Sequence, residues 1–433
     1  MKLTLVPVCS AILLSACGGG GVGDAIAPDA QALSADRAAE ARPPVVIVSH
    51  GENAISEWGA IAFKTAGNVA AHDFVTVHLA MYDAVMAIAG THQPYAIRPT
   101  TSVAGAGAQA MKAAAIEAAY LVLKGLFPAG GANYEAAYTA GIAGVPDGAD
   151  KTAGRAIGAE VAAGMLALRA NDGRLTTIAP YVPGTTPGDF RGVNPVNRIA
   201  PYIRPFATLS HSQFRAPGPL ALASDAYAID LNEVKDLAST SSITRTVGQT
   251  EVARFHTENP NTFWARNLRQ FATASTNLAE NARLAAMLWT AYQDAISGCF
   301  ESKYHYNFWR PTSAIRLAST DGNAATIEDA TWTPVVGTPN HPEYPAAHGC
   351  GSGAVTEVLR DHYATKKIVF SFDSSVTGTT HPFERSDDLV KEVMNARVWG
   401  GMHFRTSIDH GAELGKDVAK YVLRNNFQPV SSR

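Results

Sequence analysis

From Asn68 to Ile88 apolar side chains recur at helical spacing through Phe74, Val77, Tyr82 and Val85, and the alanine-rich stretch from Ala108 to Leu126 keeps the same period. Tyr134 to Ala143 and Ala149 to Ala170 continue it, so about four helices are expected to form a first bundle over 45–171. The pattern stops at Asp172. Up to Pro219 the chain carries Pro180, Pro183, Pro187, Pro195, Pro201, Pro205 and Pro217 among glycines. Each proline removes a backbone donor and clashes with a preceding helical turn, so 172–219 is expected to be irregular, either a linker or a lid. Helical signals resume near Ser224, Ser242, Asn261 and Glu280, then after Pro345, near Ser386 and from Ser407 to Arg424. They predict a second bundle over 220–433. Strand-like residues are confined to Val45–Val48 and Ile368–Phe372, read as short edge segments. The fold class expected is all-α.

The first residues have another character. Met1-Lys2 is positive, Leu3 to Leu14 is apolar but too short to span a bilayer, and Leu14-Ser15-Ala16-Cys17 has the form of a bacterial lipoprotein processing site. Residues 1–16 are therefore expected to be a signal peptide, with lipid on Cys17 and a Gly/Ala/Pro-rich tether over 17–44 that cannot bury a core. The globular part is expected outside the cytoplasm, tethered to a membrane through that lipid alone. With Gly18 after the cysteine, resemblance to sorted lipoproteins implies the outer membrane, facing the periplasm or the cell surface.

A net charge of −3 over 433 residues gives no reason to expect nucleic-acid binding. The 46% of hydrophobic residues suffices for a large core. With Cys9 lost with the signal and Cys17 lipidated, Cys299 and Cys350 are left, as a disulfide or as two buried thiols.

Candidate chemistry gathers in three C-terminal segments. The first runs from Lys303 to Arg310-Pro311, the second is Pro345-Ala346-Ala347-His348-Gly349, and the third runs from Arg397 through Gly400-Gly401 to His403. Two guanidiniums and one ammonium can surround a tetrahedral anion, while two histidines supply a nucleophile or metal ligand and a proton carrier. Lys303 and Arg310 are two helical turns apart and are expected on one helix face that Pro311 closes. Pro345 precedes a helix-compatible run, so a helix N-terminus with its free N–H groups is expected near His348. A continuous helix would put Arg397 and His403 on different faces; Gly400-Gly401 can break it and bring both to one pocket. His305 and His410 are expected to face elsewhere.

In this order, Lys-x6-Arg-Pro, Pro-x-x-His and Arg-x5-His resemble the vanadium-dependent haloperoxidase and type 2 phosphatidic acid phosphatase superfamily. The surrounding text, Ala291-Tyr-Gln-Asp-Ala through Ala314-Ile-Arg and His341-Pro-Glu-Tyr-Pro-Ala-Ala-His, is most similar to the soluble bacterial and plant haloperoxidase-like branch, with a fainter likeness from about Trp58 onward. The resemblance implies two helical bundles with the site in the C-terminal one, and vanadate as cofactor. Lys303, Arg310 and Arg397 would bind the anion's oxygens, the 346–347 backbone would donate to it, His403 would be the axial metal ligand and His348 the acid/base. Phe300 and His341 stand at the family's halide site, with a lean toward bromide or iodide.

Two departures bear on the chemistry. The family pattern has serine and glycine where this chain has Ala346 and Ala347, so a hydroxyl donor is absent and weaker anion affinity is expected. The phosphatases carry an aspartate four residues after the histidine, where this chain has Ser407, with Asp409 two residues on. The activity expected is oxidation of halide by hydrogen peroxide. The alternatives are a phosphate-ester hydrolase working through a phosphohistidine at His403, and a non-catalytic oxyanion-binding lipoprotein, for which Ala346 speaks.

Overall fold

In the computed structural model, which describes residues 41–67 and 71–430, Val45–Val46 forms strand β1 and Asn53 then starts helix α1 (Ala54–Ala66). The Asn53 side chain accepts from Ile55 and Ser56 N–H while the Ser56 hydroxyl accepts from Asn53 N–H, a reciprocal cap that satisfies amides with no helical partner. The expected signal peptide, Cys17 and the tether to residue 40 lie outside the described residues, as does Asn68. Helices α2 (Ala71–Ala89), α3 (Ala108–Leu126), α4 (Gly131–Ala143) and α5 (Ala149–Arg169) follow, so the periodic segments fold as their spacing predicts and α1 joins them in the first bundle.

Helix α6 (Asp225–Ala238) begins at the expected Ser224, whose side chain accepts from Tyr227 N–H. Then come α7 (Val247–Phe255), capped by Thr246 rather than near Ser242, α8 (Pro260–Leu268), α9 (Leu278–Tyr306), α10 (Pro311–Arg316) and α11 (Ala347–Tyr363). Strands β2 (Ile368–Asp373) and β3 (Thr380–Phe383) and helices α12 (Ser386–Trp399) and α13 (Arg405–Asn425) complete the chain. The fold is all-α apart from this small sheet. No described helix is long and apolar enough to cross a membrane.

The sheet corrects one expectation. Ile368–Phe372 was expected at an edge, yet β2 is central, parallel to β1 and antiparallel to β3. Alternation along β2 buries Ile368, Phe370 and Phe372 against the helices, and such a strand gains by pairing on both sides. The partner β3, Thr-His-Pro-Phe, has no strand signature of its own.

Helix α9 is the axis of the molecule. Buried on most of its circumference, it packs on α2 and α3 of the first bundle and on α11 and α13 of the second. Helices α11 and α13 approach backbone to backbone. A Cβ on Gly353 would lie 2.2 Å from Ala412 O and one on Gly415 2.0 Å from Cys350 O, so side chains there would force the helices apart. Cys299 and Cys350, both fully buried, are joined as a disulfide that ties α9 to α11 next to the site.

The proline-rich stretch is anchored by hydrogen bonds. The Asp294 carboxylate on α9 accepts from Phe206, Ala207 and Thr208 N–H at 2.8, 2.8 and 2.9 Å. Asn340 Nδ2 donates to Val193 O at 2.8 Å, and Val196 and Asn197 reach the cavity described next.

Candidate active site

Helix α9 ends at Tyr306 because Asn307 turns into the left-handed region, with φ +50°. Lys303 and Arg310 are therefore not on one helix face, as the spacing had suggested. Lys303 sits in the last turn of α9, while Arg310 is extended (φ −81°, ψ 156°) and caps α10, with Pro311 as that helix's first residue. Pro311 opens a helix instead of closing one, since its fixed φ suits the first helical position.

Both side chains turn inward all the same. Lys303 is fully buried, and its Nζ donates to Pro342 O at 3.0 Å and Glu343 O at 2.8 Å. Arg310 donates through Nε to His341 O at 2.8 Å and through Nη1 to Met402 O at 2.7 Å. Burial holds the Lys303 ammonium well below its usual range and pushes Arg310 down to about 10.

The third segment folds as the glycines foretold. Helix α12 stops at Trp399, Gly401 takes φ +78°, and the N–H groups of Met402 and His403 turn back to Arg397 O at 3.1 and 3.4 Å. Any side chain at 401 would press on Pro334, Trp332 and Ala238. Arg397 and His403 thus face one cavity, of about 710 Å³, whose wall also holds Ala347, His348, Phe300 and His341. Arg397 Nη1 donates to His256 O at 2.9 Å, while its buried Nε has no partner; burial pushes this guanidinium down to about 9.

A helix does begin at the second segment. Ala346 is its N-cap, and Ala347 and His348 are its first two residues, where backbone N–H groups have no helical acceptor. The two alanines differ in position. Ala347 lines the cavity, whereas Ala346 is fully buried, spends its N–H on Ser407 O at 2.9 Å and is not part of the lining.

Glu343, to which the motif reading assigned no role, organises the site. Its Oε1 accepts from His403 Nδ1 at 2.8 Å and from Phe404 N–H at 3.0 Å. With Nδ1 donating there, His403 Nε2 is the accepting nitrogen, 3.1 Å from Arg310 Nη1. The carboxylate so fixes the ring's tautomer and leaves a lone pair on the side of the cationic groups. The available signal was one acidic residue in the otherwise apolar run Pro342-Glu343-Tyr344-Pro345.

His341 accepts from Arg310 Nη2 through Nδ1 at 2.9 Å and lies 5.1 Å, centroid to centroid, from the Phe300 ring. His305 is exposed, and His410 bonds Tyr344 Oη through Nδ1 at 2.6 Å, so neither faces the cavity. Ser407 is buried and Asp409 exposed. Burial and the nearby cations hold His341, His348 and His403 well below their usual range, leaving neutral rings.

Residues 283–431 match the family model described as the VCPO second helical-bundle domain. Among solved structures, a bacterial vanadium-dependent iodoperoxidase superposes with TM-score 0.68 at 22% identity, over 88% of this chain and 97% of that one. A holo bacterial vanadium-dependent chloroperoxidase gives TM-score 0.65 at 17% identity, over 90% and 96%. Its apo counterpart gives 0.64 at 16% identity, over 83% and 94%. No curated protein sequence matches the chain. The chain has the vanadium haloperoxidase fold, and within it residues 283–431 match that family's second helical-bundle domain.

In this haloperoxidase fold Glu343 also governs stability. Burial pushes its carboxyl up to about 7, against the pull of Lys303, Arg310 and the Phe404 N–H. The folded protein holds a proton that the unfolded chain releases from about pH 4.5 upward. This contribution is whole below that pH and lost as pH rises through about 7, amounting to roughly 3 kcal/mol. Glu343→Gln keeps an acceptor for His403 and cannot ionise. Thermal unfolding of the vanadate-free proteins should show the variant gaining on the parent as pH rises from 5 to about 8. A pH-independent difference would mean that Glu343 ionises as freely in the fold as in the open chain.

Proposed function

We propose that the protein is a vanadate-dependent haloperoxidase that oxidises bromide or iodide with hydrogen peroxide. The observation that carries the reading is the buried cationic group, Lys303, Arg310 and Arg397, together with an unpartnered Arg397 Nε and a His403 ring whose tautomer Glu343 fixes. Buried charge is costly unless paired, and the acidic residue that acts on Lys303 and Arg310 is Glu343. An oxyanion relieves that imbalance.

The donor set fits vanadate: His403 Nε2 would hold the metal, and the three cations with the first amides of α11 would hold its oxygens. When bound, vanadate supplies Lewis-acid activation of peroxide. The protein's own groups do the rest. Arg310, Arg397 and Lys303 bind and orient the anion, and His348, at the start of α11 on the cavity wall, moves protons at its ring nitrogens. Phe300 against His341 offers an apolar ring edge to the halide, and bromide or iodide loses less hydration there than chloride.

Export with a lipid on Cys17 belongs to the proposal, and the Cys299–Cys350 disulfide supports an oxidising compartment. To test the activity, the purified protein is loaded with orthovanadate and assayed for bromide- and iodide-dependent peroxide consumption. Turnover that needs vanadate supports the reading; none at any loading overturns it.

A second reading has its own support. In a phosphohistidine hydrolase the nucleophilic ring needs a carboxylate on Nδ1, and Glu343 supplies one although residue 407 is serine. Phosphate-ester hydrolysis without vanadate would favour it.

A further inference from the structure

His256 borders the cavity, yet nothing in the proposed chemistry uses its side chain. It is 2% exposed, and its Nε2 lies 2.9 Å from Glu392 Oε1. The same oxygen lies 2.9 Å from His381 Nδ1. On its far side, His381 Nε2 lies 3.0 and 3.2 Å from the two oxygens of Glu251. The four groups come from α7 and its C-cap, β3 and α12, and side-chain exposure goes from 1% at His256 to 31% at Glu251. Phe255 stacks on the His381 ring at 3.7 Å, and Thr379 Oγ1 donates to Glu251 Oε1 at 2.6 Å. The result is a continuous path from the surface to the cavity.

The contacts also count protons. A neutral imidazole has one N–H, but both nitrogens of His381 face carboxylate oxygens. Both contacts are hydrogen bonds only when the ring holds a second proton or a carboxyl holds one, so a mobile proton belongs to the cluster as a whole. Burial holds His256 below its usual range; the Glu392 carboxylate opposes this, and Arg397 and His381 add to it. A proton that reaches His256 is therefore readily given up. Arg397, bonded to the His256 carbonyl, and His348 on the same cavity wall are the other titratable groups that face it.

We propose that Glu251, His381, Glu392 and His256 form a proton wire that feeds the cavity during halide oxidation. The inference rests on the haloperoxidase reading. In that reaction hydrogen peroxide, halide and one proton give hypohalous acid and water. The O–O bond breaks, a halogen–oxygen bond forms, the halide gives up two electrons, and the proton converts the departing hydroxide to water. A proton taken up at Glu251 displaces the one shared by His381 and Glu392. Glu392 passes a proton to His256, which releases one to the cavity it borders. Return of both rings, His381 and His256, to their first tautomers resets the wire.

The test compares the vanadate-loaded parent with Glu392→Gln and Glu251→Gln, which keep shape but cannot carry a proton. Both should bind vanadate as the parent does by calorimetry. Their bromide-oxidation kcat should fall about tenfold at pH near 8, where free protons are scarce, and recover as pH drops or as imidazole is added. In the vanadate-free parent, the ¹⁵N ring signals of His256 and His381 should titrate together, and in Glu392→Gln apart. Should Glu392→Gln not fold, Glu251→Gln at the exposed end decides. Parent-like kcat across the pH range with no response to imidazole, or independent titration of the two rings in the parent, overturns the wire. A loaded parent that oxidises no halide overturns the haloperoxidase reading itself and with it the use of the proton, whatever the rings do.

Discussion

His403→Ala is expected to abolish tight vanadate binding, with a loss of affinity of more than about 100-fold, since even outer partners of metal ligands are worth about 10–100-fold. The ring is 1% exposed, Glu343 holds its Nδ1, and Nε2 is the accepting nitrogen beside Arg310. Removing it takes away the atom proposed to coordinate vanadium and leaves Glu343 with the Phe404 N–H as its remaining partner of the two. The second loss costs about 1–3 kcal/mol of stability, so the variant should fold with a lowered Tm. Calorimetry with orthovanadate checks the first effect and thermal unfolding the second. Parent-like vanadate affinity in a folded variant would remove His403 from the site.

Arg397 should show a graded loss. Its Nη1 is engaged by the His256 carbonyl, and its buried Nε is free to donate to an anion. Lysine keeps the charge but not the planar fork, and each hydrogen bond to a charged group is worth about 1.5–3 kcal/mol. Arg397→Lys should weaken vanadate and phosphate binding about tenfold, and Arg397→Ala about 100-fold or more. The order is the critical result. If both variants bind the two anions as the parent does, Arg397 plays no part in holding them.

Helical periodicity was enough to locate α2 to α5, because each helix must turn a continuous apolar stripe toward a core. The site was legible for a similar reason: charged residues at fixed spacings beside proline and glycine are local features. Gly400-Gly401 had to break α12, and Pro345 had to precede a helix start. Local reasoning failed where one segment answers to another. The α9 end at Asn307 split Lys303 from Arg310 without parting their side chains, since both are drawn to carbonyls of 341–343 and 402. β2 became central because β1 arrives from more than 300 residues away to pair on the side that the neighbouring β3 leaves open.

The amino-acid order alone determined the helical class, the irregular proline-rich stretch and the cationic and histidine side chains that converge, because spacing and backbone preference act over a few residues. Contacts between residues far apart in sequence lay beyond its reach. Glu343 meets His403 sixty residues on, and Glu392 meets His256 over a separation of 136. Cys299 pairs with Cys350, and Val196 and Asn197 line a cavity built mostly from another part of the chain. Which nitrogen of His403 accepts, and which acid holds the other, follows from hydrogen bonds that exist only once the segments around α9, α11 and α12 have packed.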